Sequence, residues 1–71
     1  MITVMNRAVR IDYTNYRGER RWRTILPLEL VFGTFPHHEG AQWFLHAVDE
    51  ERGLKRTFAM KDVRAWEPTG G

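Results

Sequence analysis

Arginine is the residue type in this chain that points most directly to chemistry. Between Arg7 and Arg23 there are six arginines against Asp12 and Glu19, a local charge of +4, whereas the rest of the chain sums to −2. Arginines outnumber lysines nine to two. The planar guanidinium holds phosphate or carboxylate through two parallel hydrogen bonds, which lysine cannot do. The segment therefore favours an anion-facing surface, although a solvated basic hairpin has the same charge pattern.

Aromatic residues lie among these arginines. Residues 13–23 contain two tyrosines and a tryptophan beside four arginines. Arginines neutralise phosphates and aromatic rings stack on bases, a combination typical of sequence-tolerant binding to single-stranded nucleic acid or a nucleotide. Tyr13 and Trp22 are also ordinary core residues, whereas Tyr16 is expected to be exposed in a turn. The predicted nucleic-acid-binding residues are Tyr16, Arg17, Arg20 and Arg21.

Other chemistries find little support. The chain has neither serine nor cysteine, which excludes serine and cysteine nucleophiles and thiolate metal ligation. His37 and His38 are adjacent, so on an extended backbone they point to opposite sides. Even with Glu39 and His46 nearby, this favours an exposed polar loop over a metal site. No glycine-rich phosphate loop precedes a helix. We expect no enzyme activity, no cofactor and no metal.

The elements that must position these residues are strands. Alternation and turn residues predict strands over 8–13, 20–26, 28–32, 42–49, 54–58 and 63–66, with one helical turn over 60–63. Pro27 is expected to end a strand or bend an edge. The segment 42–49 is apolar on both faces and is expected to be central, with Trp43 and Leu45 buried near Phe58.

With 71 residues, the chain has room for one small domain. Short strands at this spacing predict an all-β barrel or a strongly bent sheet. The expected division is a tail or ragged strand over 1–6, one domain over 7–66 and a flexible tail over 67–71. No apolar run is long enough to span a membrane, and no signal peptide is apparent. We therefore expect a cytoplasmic protein without a membrane partner.

Two stretches resemble a known family. The first is Trp43-Phe44-Leu45 within residues 42–49, continuing through Gly53 to Arg56-Thr57-Phe58. The second lies upstream and comprises Ile11-Asp12-Tyr13, Gly18, Arg23-Thr24-Ile25 and Pro27. In order and spacing they resemble the WYL domain, a family named for a Trp-Tyr-Leu motif that an Arg-x-Phe motif follows. The resemblance covers roughly residues 9–63.

The resemblance implies a small SH3-like (Sm-like) five-stranded barrel with one short helical turn near the C-terminus. WYL domains usually follow a helix-turn-helix domain in bacterial transcription regulators, where they sense a ligand or contact nucleic acid. The ligand-binding residues carried over by position are Tyr13, Arg23, Trp43, Phe44 and Arg56. Phe44 replaces the motif tyrosine, and Ala59 stands where many members have a second arginine. No DNA-binding domain is apparent in this sequence, so we expect a stand-alone member.

These observations predict a non-catalytic regulatory module that binds an anionic ligand, either single-stranded nucleic acid or a phosphorylated nucleotide. The alternative is a protein-interaction or oligomerisation module. Such a module would use strand edges and surface aromatics such as Phe35 and Trp66 to bind a second copy or a partner regulatory protein.

Overall fold

The computed structural model describes residues 2–3 and 7–69. Its elements are β1 (Ile2–Thr3), β2 (Val9–Thr14), β3 (Arg20–Gly33), β4 (Gln42–Asp49), β5 (Leu54–Ala59), a 3-10 turn (Met60–Asp62) and β6 (Val63–Pro68). Five strands form an antiparallel sheet in the order β5-β4-β3-β2-β6, and the two-residue β1 pairs with β3. The all-β prediction and the helical turn are confirmed. Over the described ranges no ladder joins β5 to β6, so closure into a barrel is not seen.

Strand β3 is the longest element, with 14 residues. Of the two outcomes predicted for Pro27, a strand end or an edge bend, the strand end is wrong, because the two segments expected around this proline form one continuous strand. Pro27 is buried opposite Ala47, and the pairing register with β4 shifts between Pro27 and Glu29. Proline cannot donate to a ladder and is tolerated where such an irregularity interrupts the pairing.

The sheet is strongly curved. A straight strand of this length would span about 45 Å, whereas the longest dimension of the molecule is 37 Å. The curvature brings together the two loops that leave opposite ends of β3. The ring of Tyr16, in the β2–β3 turn, stacks on His37, in the β3–β4 loop, with 5.5 Å between centroids.

The core lies on the concave face and follows the alternation of the strands. Its buried members are Val9, Ile11 and Tyr13 from β2, Ile25 from β3, Leu45 and Ala47 from β4, and Phe58 from β5. Leu45 is opposite Phe58 in the ladder, and Tyr13 contacts the Phe58 ring edge-on at 4.9 Å. The predicted burial of Leu45 beside Phe58, in a strand paired on both sides, is confirmed.

The predicted burial of Trp43 is wrong. Its side chain is 44% exposed at the start of β4, beside Phe32, which is 59% exposed. Phe44, on the opposite face, is fully buried because Phe35 and His38 from the β3–β4 loop pack against its ring, at 4.6 and 5.0 Å. The loop therefore covers the outer face of the strand and leaves Trp43 at the margin of the core.

The C-terminal end differs from expectation, whereas the short strand Ile2–Thr3 agrees with the tail or ragged strand expected over 1–6. Strand β6 continues to Pro68, inside the segment expected to be a flexible tail. Glu67 pairs with Arg10 at 2.7 Å, and the Thr69 hydroxyl donates to the carbonyl of Ala8. At the other end, Ile2–Thr3 forms the short β1. The rest of the two predicted tails, residues 1, 4–6 and 70–71, lies outside the described residues.

Candidate anion-binding cleft

Five arginines line one cleft of about 400 Å³. Arg21 and Arg23 project from the concave face of β3, and Arg56 projects from β5, two residues before the core residue Phe58. Arg17 and Arg52 come from the β2–β3 and β4–β5 turns. The remaining lining residues are Asn15, Tyr16 and Glu19. The cleft thus lies at one end of the concave face, where arginines follow the apolar side chains of the core along the strands.

The β2–β3 turn is held by Asn15. Its Oδ1 atom accepts hydrogen bonds from the backbone N–H groups of Arg17 and Glu19, each at 2.9 Å. Gly18 has a φ of +82°, a conformation that costs glycine nothing sterically. This side-chain-to-backbone bonding places Arg17 and Tyr16 at the rim of the cleft.

The β4–β5 turn is held in the same manner by Asp49. Its Oδ1 atom accepts the N–H groups of Glu51 at 3.0 Å and Arg52 at 3.3 Å. The N–H of Gly53, at a φ of +67°, donates to the Asp49 carbonyl at 2.7 Å. Asp49 therefore determines where Arg52 lies relative to the cleft.

Arg23 is the buried charge of the cleft, with only 5% exposure. Its nearest carboxylate oxygen is Oδ2 of the fully buried Asp49, 3.7 Å from NH1, which is too long for a hydrogen bond. Within residues 2–3 and 7–69, Arg23 Nε and NH1 have no hydrogen-bond partner. Burial lowers the pKa of Arg23, and Arg21 and Arg56 lower it further, while Asp49 opposes them. Arg23 therefore lines the cleft with a buried positive charge that Asp49 does not hold through a hydrogen bond.

The WYL domain family model matches residues 3–68 of the 71 residues. The chain belongs to the WYL domain family. WYL domains are ligand-binding regulatory modules without catalytic activity. Neither the curated proteins nor the solved structures contain a match to this chain.

The cleft of this WYL domain gathers five of the predicted site residues. Arg23 and Arg56 come from the set implied by the family resemblance, and Tyr16, Arg17 and Arg21 from the set predicted by the basic and aromatic pattern.

Two predicted residues on β2 and β3 lie outside the cleft. Arg20 alternates with Arg21 and so occupies the convex face, where it binds both carboxylate oxygens of Asp12 at 2.7–3.0 Å. The hydrogen bond from Arg20 lowers the pKa of Asp12. Tyr13 is 6% exposed, and its hydroxyl accepts the N–H of Ala59 at 3.1 Å. Burial raises the pKa of this tyrosine, which keeps the hydroxyl neutral in its structural role.

The first two residues of the WYL motif segment are also outside the cleft. Phe44 is buried beneath the β3–β4 loop, and Trp43 lines a separate surface depression with Met60 and Lys61. In this WYL domain the motif aromatics shape the fold around β4, and the arginines of β3, β5 and the two turns form the cleft.

Arg52 was missed by sequence reasoning, because the acidic run before it indicates a solvated turn. The available signal was Asp49, since an aspartate at the first turn position commonly accepts backbone N–H groups two residues on. A capped turn in a tight hairpin brings Arg52 to the same end of the sheet as Arg56.

The histidines do not assemble into a metal site. His37 stacks on Tyr16, His38 packs on Phe44, and His46 Nδ1 lies 2.9 Å from the Thr57 hydroxyl. In the part of the chain that the structure describes, no three metal-ligating side chains come together. No helix among the same residues is long and apolar enough to cross a membrane.

Proposed function

We propose that this WYL domain is a regulatory module that binds an anionic ligand, a single-stranded nucleic acid or a phosphorylated nucleotide, in the arginine cleft. The observation that carries the proposal is the convergence of five arginines on one cleft with Glu19 as the single carboxylate among the described residues of its lining. Asp49 and Glu51 also lie near Arg23 and Arg21. Five guanidinium groups still outnumber these three carboxylates, so the cleft attracts negative charge.

Phosphate suits this cleft for a geometric reason. Guanidinium groups bind phosphate oxygens through paired hydrogen bonds, and a phosphate offers several oxygens to several arginines at once. Arg23 contributes donors that are already desolvated and unpartnered. Hydrogen bonds made in such surroundings are stronger than those made in water.

Tyr16 supports a ligand that carries bases. Its side chain is 69% exposed at the cleft rim, and aromatic rings in basic grooves stack on unpaired bases. Trp22, by contrast, lies on the convex face with the Arg10 guanidinium 4.7 Å from its ring centroid. We therefore assign base contacts to Tyr16 and none to Trp22.

The curvature of β3 supports an SH3-like, barrel-type arrangement as the scaffold. The stacking of Tyr16 on His37 joins two loops that a flat sheet would hold far apart. This arrangement holds the β2–β3 turn, with Arg17, against the body of the domain.

The test is fluorescence anisotropy of a labelled single-stranded oligomer at several salt concentrations, with cyclic dinucleotides as competitors. If two to four phosphates are engaged, the slope of log K against log salt should be roughly −1.5 to −3. Competition by a cyclic dinucleotide would indicate a nucleotide ligand. The absence of binding by oligomers and dinucleotides at low salt would refute the proposal.

The exposed pair Phe32 and Trp43 favours a second candidate function, a protein-interaction module. The two rings lie on neighbouring strands with 5.4 Å between centroids, and Trp66 on the edge strand β6 is 45% exposed. Phe35 does not contribute, because it packs against Phe44. A second copy or a regulatory protein held here would associate with little salt dependence. Sedimentation at several protein concentrations tests this alternative.

A further inference from the structure

Asp49 has two separable roles beneath the arginine cleft. Its Oδ1 atom accepts the backbone N–H groups of Glu51 and Arg52. Its Oδ2 atom has no hydrogen-bond partner in the part of the chain that the structure describes, and it lies 3.7 Å from Arg23 NH1. A fully buried carboxylate oxygen without a donor is costly. One oxygen therefore shapes the turn, while the other acts through its charge.

The surroundings of Arg23 make that charge important. The charged side chains that face it are Arg21, Arg52, Arg56 and Asp49. Among these four neighbours of Arg23, Asp49 is negatively charged and the other three are positively charged. Because the Arg23–Asp49 contact is longer than a hydrogen bond, an anion in the cleft that Arg23 lines would interact with this guanidinium without breaking a hydrogen bond to Asp49.

We propose that Asp49 is an internal counter-ion that limits how tightly the cleft binds anions, because a bound anion takes over its place beside Arg23. The inference rests on the proposed function, since it concerns the same cleft. Asp49 is then a positioning residue with opposed effects. Its Oδ1 atom favours binding by placing Arg52, and the charge on its carboxylate opposes binding by repelling the ligand.

The substitution Asp49→Asn separates the two effects. Asparagine keeps a side-chain oxygen that can accept the turn N–H groups, and it removes the negative charge. Binding of inorganic tripolyphosphate, followed by calorimetry at low salt, should become about tenfold tighter, since a buried charge near the ligand is poorly screened. A role limited to shaping the turn would leave this affinity unchanged or weaken it.

Glu51→Gln is the matched control. It removes the same charge from the same turn, but Glu51 is exposed and pairs with the exposed Arg21 at 3.8 Å. Solvent screens such a pair, so tripolyphosphate affinity should rise by less than about twofold. Equal tightening by both substitutions would show that only net charge matters and would overturn the role of Asp49.

The thermal stability of the Asp49→Asn variant provides a second test of the counter-ion role. Without Asp49 the buried Arg23 has no counter-charge, which destabilises the fold until an anion binds. Saturating tripolyphosphate should therefore raise the thermal midpoint of Asp49→Asn by more than that of the unsubstituted protein. If the variant is unfolded without ligand, circular dichroism should show that it refolds on addition of tripolyphosphate.

The outcomes separate the two proposals. An Asp49→Asn variant that binds no tighter than the unsubstituted protein, or that stays unfolded at saturating tripolyphosphate, overturns the counter-ion role. If the unsubstituted protein still binds oligomers with a salt slope, the proposed function stands. If it binds neither tripolyphosphate nor oligomers, both proposals fail.

Discussion

The convex and concave faces of the sheet use arginine in opposite ways. On the convex face, Arg20 binds Asp12 through both carboxylate oxygens, and Arg10 binds Glu67 at 2.7 Å. On the concave face, Arg21 and Arg23 lie 3.8 and 3.7 Å from their nearest acids, beyond hydrogen-bond distance. Arginines from one stretch of sequence are therefore neutralised on one side of the sheet and available to a ligand on the other.

The comparison shows that the position of an arginine within a basic segment does not reveal whether that arginine can bind a ligand. Arg20 and Arg21 are neighbours in sequence and have the same charge. Strand alternation sends them to opposite faces, and only the face with an acid at the right register neutralises its arginine. Asp12 is that acid on the convex face, and it lies opposite Trp22 in the ladder, diagonal to Arg20.

The largest expected effect is the loss of stability when the buried pair of Arg23 and Asp49 is broken. Arg23→Gln should lower the free energy of unfolding by about 3–5 kcal/mol, because the fully buried Asp49 loses its counter-charge. Urea denaturation followed by tryptophan fluorescence measures this loss. Arg10→Gln, on the convex face, is the control, and its loss should be much smaller because the side chains of Arg10 and Glu67 are 43% and 47% exposed. Equal losses would contradict the contrast between the faces.

Arg56→Gln should reduce binding without unfolding the domain. We expect oligomer affinity to weaken by about 1.5–3 kcal/mol, the contribution of a charge-assisted hydrogen bond. Stability should change by less than about 0.5 kcal/mol, because Arg56 is only partly buried. Anisotropy titration is the measurement, and Arg10→Gln is the control on the convex face. A weakening of similar size in both variants would mean that the charge of the whole domain, and not the cleft, attracts the ligand.

Tyr16→Ala tests the base contact. It should weaken binding of a thymidine oligomer at the lower end of the roughly 1–3 kcal/mol that base stacking contributes, because the ring is 69% exposed. Binding of tripolyphosphate, which has no base, should weaken less, because it loses only the support that Tyr16 gives to Arg17, whose Nε donates to the Tyr16 hydroxyl at 3.3 Å. Trp22→Ala, on the convex face, should leave both affinities as they are. An equal loss of tripolyphosphate binding in Tyr16→Ala would show that the tyrosine acts only through Arg17 and makes no base contact.

The smallest expected effect is a pH dependence of the free energy of unfolding, which arises from Asp12 on the convex face. The hydrogen bond from Arg20 lowers the pKa of Asp12 below its ordinary value of 3.8. A depressed carboxyl pKa stabilises the fold above the unfolded pKa, and this stabilisation is lost as the pH falls through the folded value. The free energy of unfolding should therefore decline below about pH 4, and the decline should be shallower in Asp12→Asn. Urea denaturation at several pH values around this pH measures the decline. An equal decline of the free energy of unfolding in the two proteins would contradict the prediction.

Much of the fold was predictable because its signals are local. Alternation over β4, the turn residues Asn15, Gly18 and Gly53, and the short turn after Phe58 depend on neighbouring residues alone. The same alternation places Leu45 beside the core and puts Arg21 and Arg23 on the face of Ile25. The family was recognisable from the order of these elements.

The sequence by itself therefore determined most of the strands, their faces and the excess of arginine over residues 7–23. Only the tertiary structure decided which arginines are available, because Asp12 and Asp49 reach their partners through pairing between strands. It also decided that Trp43 is exposed while Phe44 is buried, because the β3–β4 loop folds over one face of β4. The curvature of β3 and the path of that loop are set by packing between residues far apart in the chain, which no local pattern records.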